Sequence, residues 1–353
     1  MKKICIGIDI AKEKFDVTAI LLVEATNFSQ LGYQQFKNAP AGFRELVSWS
    51  SKFCKVSKLS LDDCLFCMET TGGYDRGLCN YLYGKSLCVW RESALQIRRS
   101  SGFRRGKDDK SDSLNIADYA ARHQDRMQAY VPDEGKILEL KEIVTYRASL
   151  VERRKEVRVR CDEKAITCAS CKSETTRMIA KLAKAEIRQL DKMVDECDKR
   201  IMAIIDSDEA LKKNYDHVVS VKGIGMVNAA TLIAYSGNFK KIATAAKMAC
   251  YVGAVTFYEN SGTSVHKKDS SKNVCCKQIN NYLRMAAKCA IRYNDTIKAY
   301  AEKLKKRGKI KKIITNNVIH KLLKIVYSLI KNDCDFEMNH EWNRIQDKEH
   351  KIA

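Results

Sequence analysis

The chain has 353 residues, of which 64 are Lys or Arg and 43 are Asp or Glu, giving a net charge of +21. No apolar run approaches the roughly 20 residues of a membrane-spanning helix, which excludes a helical integral membrane protein. A positive charge this large indicates a polyanionic partner, with nucleic acid ahead of an acidic membrane surface. We expect a cytosolic protein with enough core for two or three domains.

Cysteine usage indicates a reducing compartment. The 15 cysteines are scattered, and nothing in the sequence indicates export. The one CxxC, Cys168 to Cys171, has Cys161 nearby, but a zinc site needs a fourth ligand, and the adjacent Cys275 and Cys276 lack the spacing of a second pair. We therefore predict reduced thiols that serve as small buried hydrophobes.

Residues 1–130 alternate between strand and helix patterns. The predicted strands are Lys3–Ile10, Phe15–Val23, "SQLGYQQFKN", "CLFCMET" and "SLCVW", and the predicted helices are Ala41–Phe53, "YDRGLCNYLYG" and Asp112–Arg122. Three antiparallel strands followed by alternating helices and strands is the element order of a ribonuclease H-like, or RuvC-like, fold. We therefore predict an α/β domain of that class over residues 1–130.

The remainder of the chain is predicted to be mainly α-helical, in three regions. Over residues 131–210 the apolar spacing indicates a coiled coil or a helical hairpin, and the seam could pack within the chain or on a second protomer. Residues 211–332 predict a mostly helical domain with one Gly-, Ser- and Thr-rich loop, and residues 333–353 predict a charged tail. The seam residues are Ile187, Leu190, Val194, Cys197, Ile201 and Ile204.

Four acidic residues, called here the acidic quartet, stand at the ends of predicted elements. Asp9 ends the first strand, Glu69 ends the fourth and precedes two glycines, and Asp109 and Asp112 share one face at a helix start. Asp108 could replace Asp109 geometrically. Taken singly, each could be a turn residue or a helix cap. Taken together, four carboxylates suit Mg²⁺, and two such ions could clamp the attacking and leaving oxygens of a phosphodiester.

The C-terminal domain carries features that favour phosphate contact. "VVSVKGIGMVNAATLIAYSG" fits a helix-hairpin-helix, in which Gly223 and Gly225 would let backbone amides approach a phosphate, and it fits a plain helix-helix turn equally well. Lys272 precedes a basic helical stretch over residues 277–312 that includes Lys277 and Arg284. We expect its cations to contact phosphates, with a solvated helix face as the alternative.

The same domain contains a serine-rich segment, "YVGAVTFYENSGTSVHKK", which places Ser261 and Ser264 beside Lys267 and Lys268 in a predicted flexible loop. Most serines in loops only form hydrogen bonds with solvent or with the backbone of a turn. A serine hydroxyl is also a weak nucleophile unless it is deprotonated or activated by a metal. His266 is five residues from Ser261, so the sequence does not establish it as a partner base. The residues alone leave the role of both serines open.

In order along the chain, "GIDIAKEKFDV", "METTGGY", "KDDKSD" and the Ser-Gly segment resemble the DEDD transposases of the insertion-sequence 110 family, which are related to the Piv DNA invertases. The resemblance extends from the first strand to about residue 332. It implies that the acidic quartet of this chain holds the family's four acidic positions and that Ser261 is the catalytic serine, with Ser264 as the fallback. Ser113 stands where the family pattern usually has Ala.

The resemblance implies an enzyme that cuts and rejoins the DNA of an insertion sequence by Mg²⁺-assisted phosphoryl transfer. Ser261 would attack the scissile phosphate to give a transient phosphoserine, which a DNA hydroxyl would resolve without ATP. The implied partners are donor and target DNA and an element-encoded bridging RNA, in a bacterial-type cytosol at the nucleoid. Two DNA ends predict a homodimer or homotetramer, and the two domains would have to meet, within one protomer or across protomers.

Two other classes of function remain open. A hydrolytic RuvC-like, Mg²⁺-dependent junction endonuclease would use the same carboxylates and need no serine, so Ser261→Ala would leave its cleavage intact. A non-catalytic nucleic-acid-binding protein with a decayed site would not respond to Mg²⁺. An intact quartet argues against decay, and neither alternative accounts for the Ser-Gly segment.

Overall fold

The computed structural model describes residues 3–23, 27–70, 72–100, 108–167, 173–255, 257–261, 265–270 and 276–337. The chain divides into two compact units, Met1–Pro132 and Asp133–Ala353. Within the described ranges, no helix is both long and apolar enough to cross a bilayer. The further boundaries at residues 210 and 332 stay predictions.

The first unit contains three consecutive strands followed by alternating helices and strands. Its elements are β1 (Ile4–Ile10), β2 (Lys14–Leu22), β3 (Phe28–Lys37), α1 (Pro40–Val56), β4 (Cys64–Glu69), α2 (Arg76–Gly84), β5 (Cys88–Glu92), α3 (Ala94–Ser100) and α4 (Asp109–Arg122). Every element predicted for this region is present with ends shifted by a few residues. The short helix α3 is an addition, because seven residues show too little apolar periodicity to predict a helix.

The five strands form one sheet in the order β3-β2-β1-β4-β5. β2 is antiparallel to both β1 and β3, whereas β4 is parallel to β1 and β5 is parallel to β4. This order and these directions are those of the ribonuclease H-like fold that the element order predicts.

The sheet is covered on both faces, so its central strands are apolar throughout. Ile6 and Ile8 of β1 lie in the core that includes Phe43 of α1. Cys5 lies in the core on the opposite face, with Ala117 of α4. Since side chains alternate along a strand, every odd-numbered residue of β1, including Asp9, is directed toward the α4 side.

Helix α4 packs unusually close to β1 at Gly7. A Cβ atom added to Gly7 would lie 2.2 Å from the backbone nitrogen of Ala117 and 2.2 Å from the carbonyl oxygen of Ser113. The buried Ser113 hydroxyl is 2.7 Å from the Thr18 hydroxyl on β2. The glycine and this hydroxyl pair therefore fix α4 over β1 and β2, and Ser113 provides a hydrogen bond that Ala could not.

Most of the cysteines in the first unit are buried, as predicted, among them Cys5 and Cys67. Burial raises the pKa of the Cys5 thiol to about 12, which keeps it protonated and unreactive. Cys168, Cys171 and Cys275 lie outside the described residues.

The second unit is mainly helical. Its elements are α5 (Gly135–Thr167), α6 (Glu174–Asp206), α7 (Glu209–Val219), α8 (Met226–Ser236), α9 (Ala245–Tyr251), β6 (Phe257–Ser261), β7 (Val265–Ser270), α10 (Lys277–Tyr293), α11 (Asp295–Lys306) and α12 (Lys311–Asn332).

Helices α5 and α6 pack against each other as a hairpin within the chain. Leu190, Val194 and Cys197 of the predicted seam are buried in this contact, beside Leu150 of α5. Nearer α7, Ile201 and Ile204 join the main core of the C-terminal helices instead. Most of the predicted seam is therefore buried within the chain.

The segment predicted as a flexible loop around Ser261 contains a two-stranded antiparallel hairpin, β6 with β7. Phe257, Tyr258 and Val265 in these strands favour extended structure, although Gly262 lies between the strands. Ser261 ends β6 and is paired with Val265. Ser264 and Lys272 lie outside the described residues.

Replacing Gly7 by Ala should displace α4, because the added methyl group overlaps the helix backbone. We expect a loss of about 1–3 kcal/mol in the free energy of unfolding. Gly84→Ala is the matched control, since no atom lies within 4 Å of the added Cβ. Urea unfolding of both variants measures the difference, and equal stabilities would contradict the close contact.

Replacing Ser113 by Ala should lower the free energy of unfolding by about 1–2 kcal/mol, because it leaves the buried Thr18 hydroxyl without its hydrogen-bond partner. Thr18→Val combined with Ser113→Ala should cost less than the sum of the two single changes, since it removes both polar groups. A double-mutant cycle by urea unfolding gives the coupling energy. Strictly additive effects would show that the two hydroxyls do not interact.

Candidate active site

Carboxylates stand side by side on four adjacent strands. Asp16 is paired with Asp9 between β2 and β1, and Glu92 is paired with Glu69 between β5 and β4. The last residues paired between β1 and β4 are Ile8 and Met68, and Asp9 and Glu69 directly follow them. Because residues paired across strands point to the same face, these carboxylates form one row on the α4 side of the sheet.

The first turn of α4 adds two more carboxylates to this side. The Asp108 carboxylate is the N-cap and accepts a hydrogen bond of 2.7 Å from the backbone amide of Ser111. Asp108 therefore caps the helix, and Asp109 and Asp112 do not. Both of these lie in the first helical turn, as their spacing predicts.

Asp9 is the electrostatic centre of this cluster. Its pKa is raised to about 6 by burial and, in decreasing order, by the negative charges of Asp112, Glu69, Asp109 and Asp16. The structure thus brings the other three members of the acidic quartet close enough to act on Asp9. Asp9 lies where added positive charge would be most stabilising.

The two outer carboxylates of the row are satisfied by the protein. Asp16 is 3% exposed and accepts hydrogen bonds from the Tyr33 hydroxyl and from Gln35 Nε2 at 3.0 Å. Glu92 accepts a hydrogen bond of 3.1 Å from the Tyr119 hydroxyl. Sequence reasoning misses both residues, although an Asp within the apolar run of β2 is unusual enough to have indicated Asp16.

Lys14 places a positive charge beside the cluster. Its Nζ atom lies 3.2 Å from Asp109 Oδ2 and 3.9 Å from Asp16 Oδ2. The side chain is about half exposed, so a cation from solvent can displace the Lys14 ammonium from these carboxylates. Lys14 therefore offsets negative charge only at the edge of the cluster, and the pKa of Asp9 stays raised.

Asn38 connects the two loops that follow Asp9 and Glu69. Its Nδ2 atom donates hydrogen bonds to the carbonyl oxygens of Ala11 at 2.9 Å and Tyr74 at 3.1 Å. No sequence pattern indicates this contact, because an Asn after a strand usually predicts only a turn.

The two glycines after Glu69 leave open space above their backbone. Gly72 and Gly73 have φ of +43° and +105°, and no atom lies within 4 Å of a Cβ built on either. Their conformation favours glycine, and the open space would admit a bulky group.

The predicted phosphate-contacting residues of the second unit differ in environment. Gly223 has φ of +111° and is pressed against Ala290, so packing alone requires a glycine there, whereas the space around Gly225 is open. Lys277 is exposed at the start of α10, and Arg284 donates a hydrogen bond of 2.6 Å to Asn280.

Lys267 and Lys268 lie on β7. The helix-hairpin-helix interpretation stays a prediction.

The acidic quartet fits a hard divalent cation by its chemistry. All four side chains offer carboxylate oxygens, and the pKa of Asp9 is raised by burial and by neighbouring negative charge that a cation would neutralise. As placed, no three His, Cys, Asp or Glu side chains of the described ranges are close enough together to hold one ion.

Strand order and acidic cluster together define the first unit as a ribonuclease H-like domain with a candidate active site at the ends of β1 and β4. Two family models match the chain: the DEDD transposase model of the IS110 type over residues 6–164, and "Transposase IS116/IS110/IS902 family" over residues 215–302. The chain belongs to the IS110 family of transposases, and it is an enzyme of DNA transposition or recombination.

The chain is also similar to individual proteins. It is 25% identical over 343 residues to the pilin gene-inverting proteins of Moraxella lacunata and Moraxella bovis, covering 96% of this chain and 98% of each relative. It is 9% identical to Thermus thermophilus RuvC in complex with a Holliday junction substrate, covering 36% of this chain and 98% of that one, with a TM-score of 0.27. A second Thermus thermophilus RuvC structure gives 12% identity, coverage of 36% and 99%, and a TM-score of 0.26.

Asp9→Asn should stabilise the protein at pH 7.5 in EDTA, because it removes a charge from a repulsive cluster. Folding raises the pKa of Asp9 to about 6, so the folded state binds the proton more tightly than the unfolded state. The wild type therefore loses stability as pH rises from about 4 through 6, and the variant lacks that contribution. Thermal melting at pH 4.5 and 7.5 should show an advantage for the variant only at the higher pH.

Asp125→Asn is the control, since the Asp125 carboxylate is 72% exposed. Adding Mg²⁺ at pH 7.5 should raise the melting temperature of the wild type and of Asp125→Asn, and should leave Asp9→Asn unchanged. A lower melting temperature for Asp9→Asn at pH 7.5 in EDTA would contradict the repulsion.

Proposed function

We propose that this transposase cuts and rejoins DNA by phosphoryl transfer, with the acidic quartet as its Mg²⁺ site and Ser261 as its nucleophile. The observation that carries the proposal is the convergence of Asp112, Glu69 and Asp109 on Asp9, whose burial, together with these negative charges, raises its pKa to about 6. A repulsive cluster costs stability, and a bound cation would relieve that cost.

The quartet residues would hold two Mg²⁺ ions, which when bound supply positive charge to the phosphate and to the attacking and leaving oxygens. Asp9 and Glu69 occupy the centre of the carboxylate row and are the central ligands in this proposal. Asp109 and Asp112 would close the site from the first turn of α4. Asp16 and Glu92 are left out as ligands, because protein donors already hold them.

Ser261 supplies the nucleophile in this proposal. Its Oγ atom would attack the scissile phosphorus, form a phosphoserine bond and release one DNA hydroxyl, which takes up a proton. A second DNA hydroxyl would then attack the phosphoserine and restore the serine, so that one phosphodiester replaces another without ATP. The support for Ser261 is its match to the family's Ser-Gly motif and its position at the end of β6. Ser264 is the fallback.

Donor and target DNA are the proposed substrates, and an element-encoded bridging RNA is a proposed partner in a homodimer or homotetramer. The net charge of +21 supports binding to nucleic acid and does not distinguish RNA from DNA.

The test is a denaturing gel that detects a covalent protein–DNA adduct in the presence of the element's junction DNA, its flanking RNA and Mg²⁺. We expect an adduct with the wild type and with Ser264→Ala, and none with Ser261→Ala or Asp9→Ala. An adduct retained in Ser261→Ala and lost in Ser264→Ala would move the nucleophile by three residues. Cleaved DNA without any adduct would make water the nucleophile and favour the hydrolytic endonuclease.

A further inference from the structure

A cavity of about 880 Å³ lies among α10, α11 and α12. This volume is within the usual range of roughly 300–1,000 Å³ for small-ligand sites. Its apolar lining includes the half-buried Ile291 and Ile314, and its charged lining is exposed. The cations that line it are Lys288, Arg292, Lys298, Lys305, Lys309 and Lys311.

The positive charge of this cavity is largely uncompensated. Glu302 is the one carboxylate of the lining, and none of the six cations takes part in an ion pair among the described residues. A favourable interaction with the helix dipole accounts for Lys305, in the last turn of α11. It does not account for Lys288 or Lys298, which lie away from the last turn of their helices.

The start of α12 adds to this charge. Ile310 is its N-cap and provides no side-chain hydrogen bond, so the first amides of a 22-residue helix stay available to an acceptor. Lys311 and Thr315 of that end line the cavity. Beside the cavity, Tyr293 is 61% exposed and lies next to Arg292, with the guanidinium 5.9 Å from the ring centre.

We propose that this cavity binds a nucleic-acid strand at an unpaired nucleotide, with phosphates on the cations and the base or sugar against Ile291 and Ile314. The ligand is a nucleic acid because the chain is a DNA-recombining enzyme and uncompensated cations around an apolar surface suit a nucleotide. The exposed Tyr293 offers a ring on which a neighbouring base can stack. The proposal is independent of the acidic quartet and of Ser261.

Fluorescence anisotropy of the full chain with short labelled single-stranded RNA, single-stranded DNA and duplex DNA, all in EDTA, tests this site without cleavage. The test variant is Lys298→Gln with Lys305→Gln. The matched control is Lys247→Gln with Lys331→Gln, which removes the same charge from exposed positions outside the cavity. Circular dichroism melting confirms that each variant is folded.

We expect the cavity variant to weaken single-strand binding about tenfold more than the control. Its plot of log affinity against log salt should be less steep by about 0.7 for each phosphate that the variant no longer neutralises. Glu302→Gln should tighten binding, because it removes the one repulsive charge from the lining.

Equal weakening by the two double variants would overturn the proposal, since it would reflect net charge alone. It would also be overturned if only duplex binding depended on Lys298 and Lys305. Free tripolyphosphate that competes as well as an oligonucleotide of equal charge would show that no nucleotide is recognised, and the proposal would then be wrong.

Discussion

The first unit depends on the contact of α4 with the backbone of β1 at Gly7. The absence of a Cβ allows the helix to approach to a distance that no other residue permits, at the carbonyl of Ser113. Asp109 precedes Ser113 by about one helical turn, so the same contact holds the first turn of α4 beside Asp9. Gly7 therefore determines whether the carboxylates on the strands and those on α4 form a single cluster.

Such a cluster lowers the stability of the domain, and the surrounding structure offsets this cost. Apolar packing on both faces of the sheet stabilises the strands on which Asp9 and Glu69 lie. Hydrogen bonds to Asp16 and Glu92 reduce repulsion at the two ends of the row. The remaining repulsion is concentrated at the centre, around Asp9.

Much of this domain could be predicted from local pattern, because buried strands and amphipathic helices follow from the periodicity of apolar residues. The acidic quartet could be predicted because Asp9 and Glu69 end strands and an Asp pair opens a helix. Asn38 and Glu92 could not, since their roles depend on contacts between residues distant in sequence. The sequence predicts a loop at Ser261 in place of the hairpin, because β7 holds two Lys and an Asp, which are depleted in strands.

The α5–α6 hairpin carries its charges in an order that fixes how the two helices align. Near its middle, Arg147 of α5 pairs with Asp198 of α6, whereas closer to the start of α5 the signs are reversed and Glu139 pairs with Arg200. Sliding α6 until Arg200 faces Arg147 would replace attraction by repulsion. Each pair contributes little to stability, but together they discriminate against misaligned pairing, including pairing between two newly made chains.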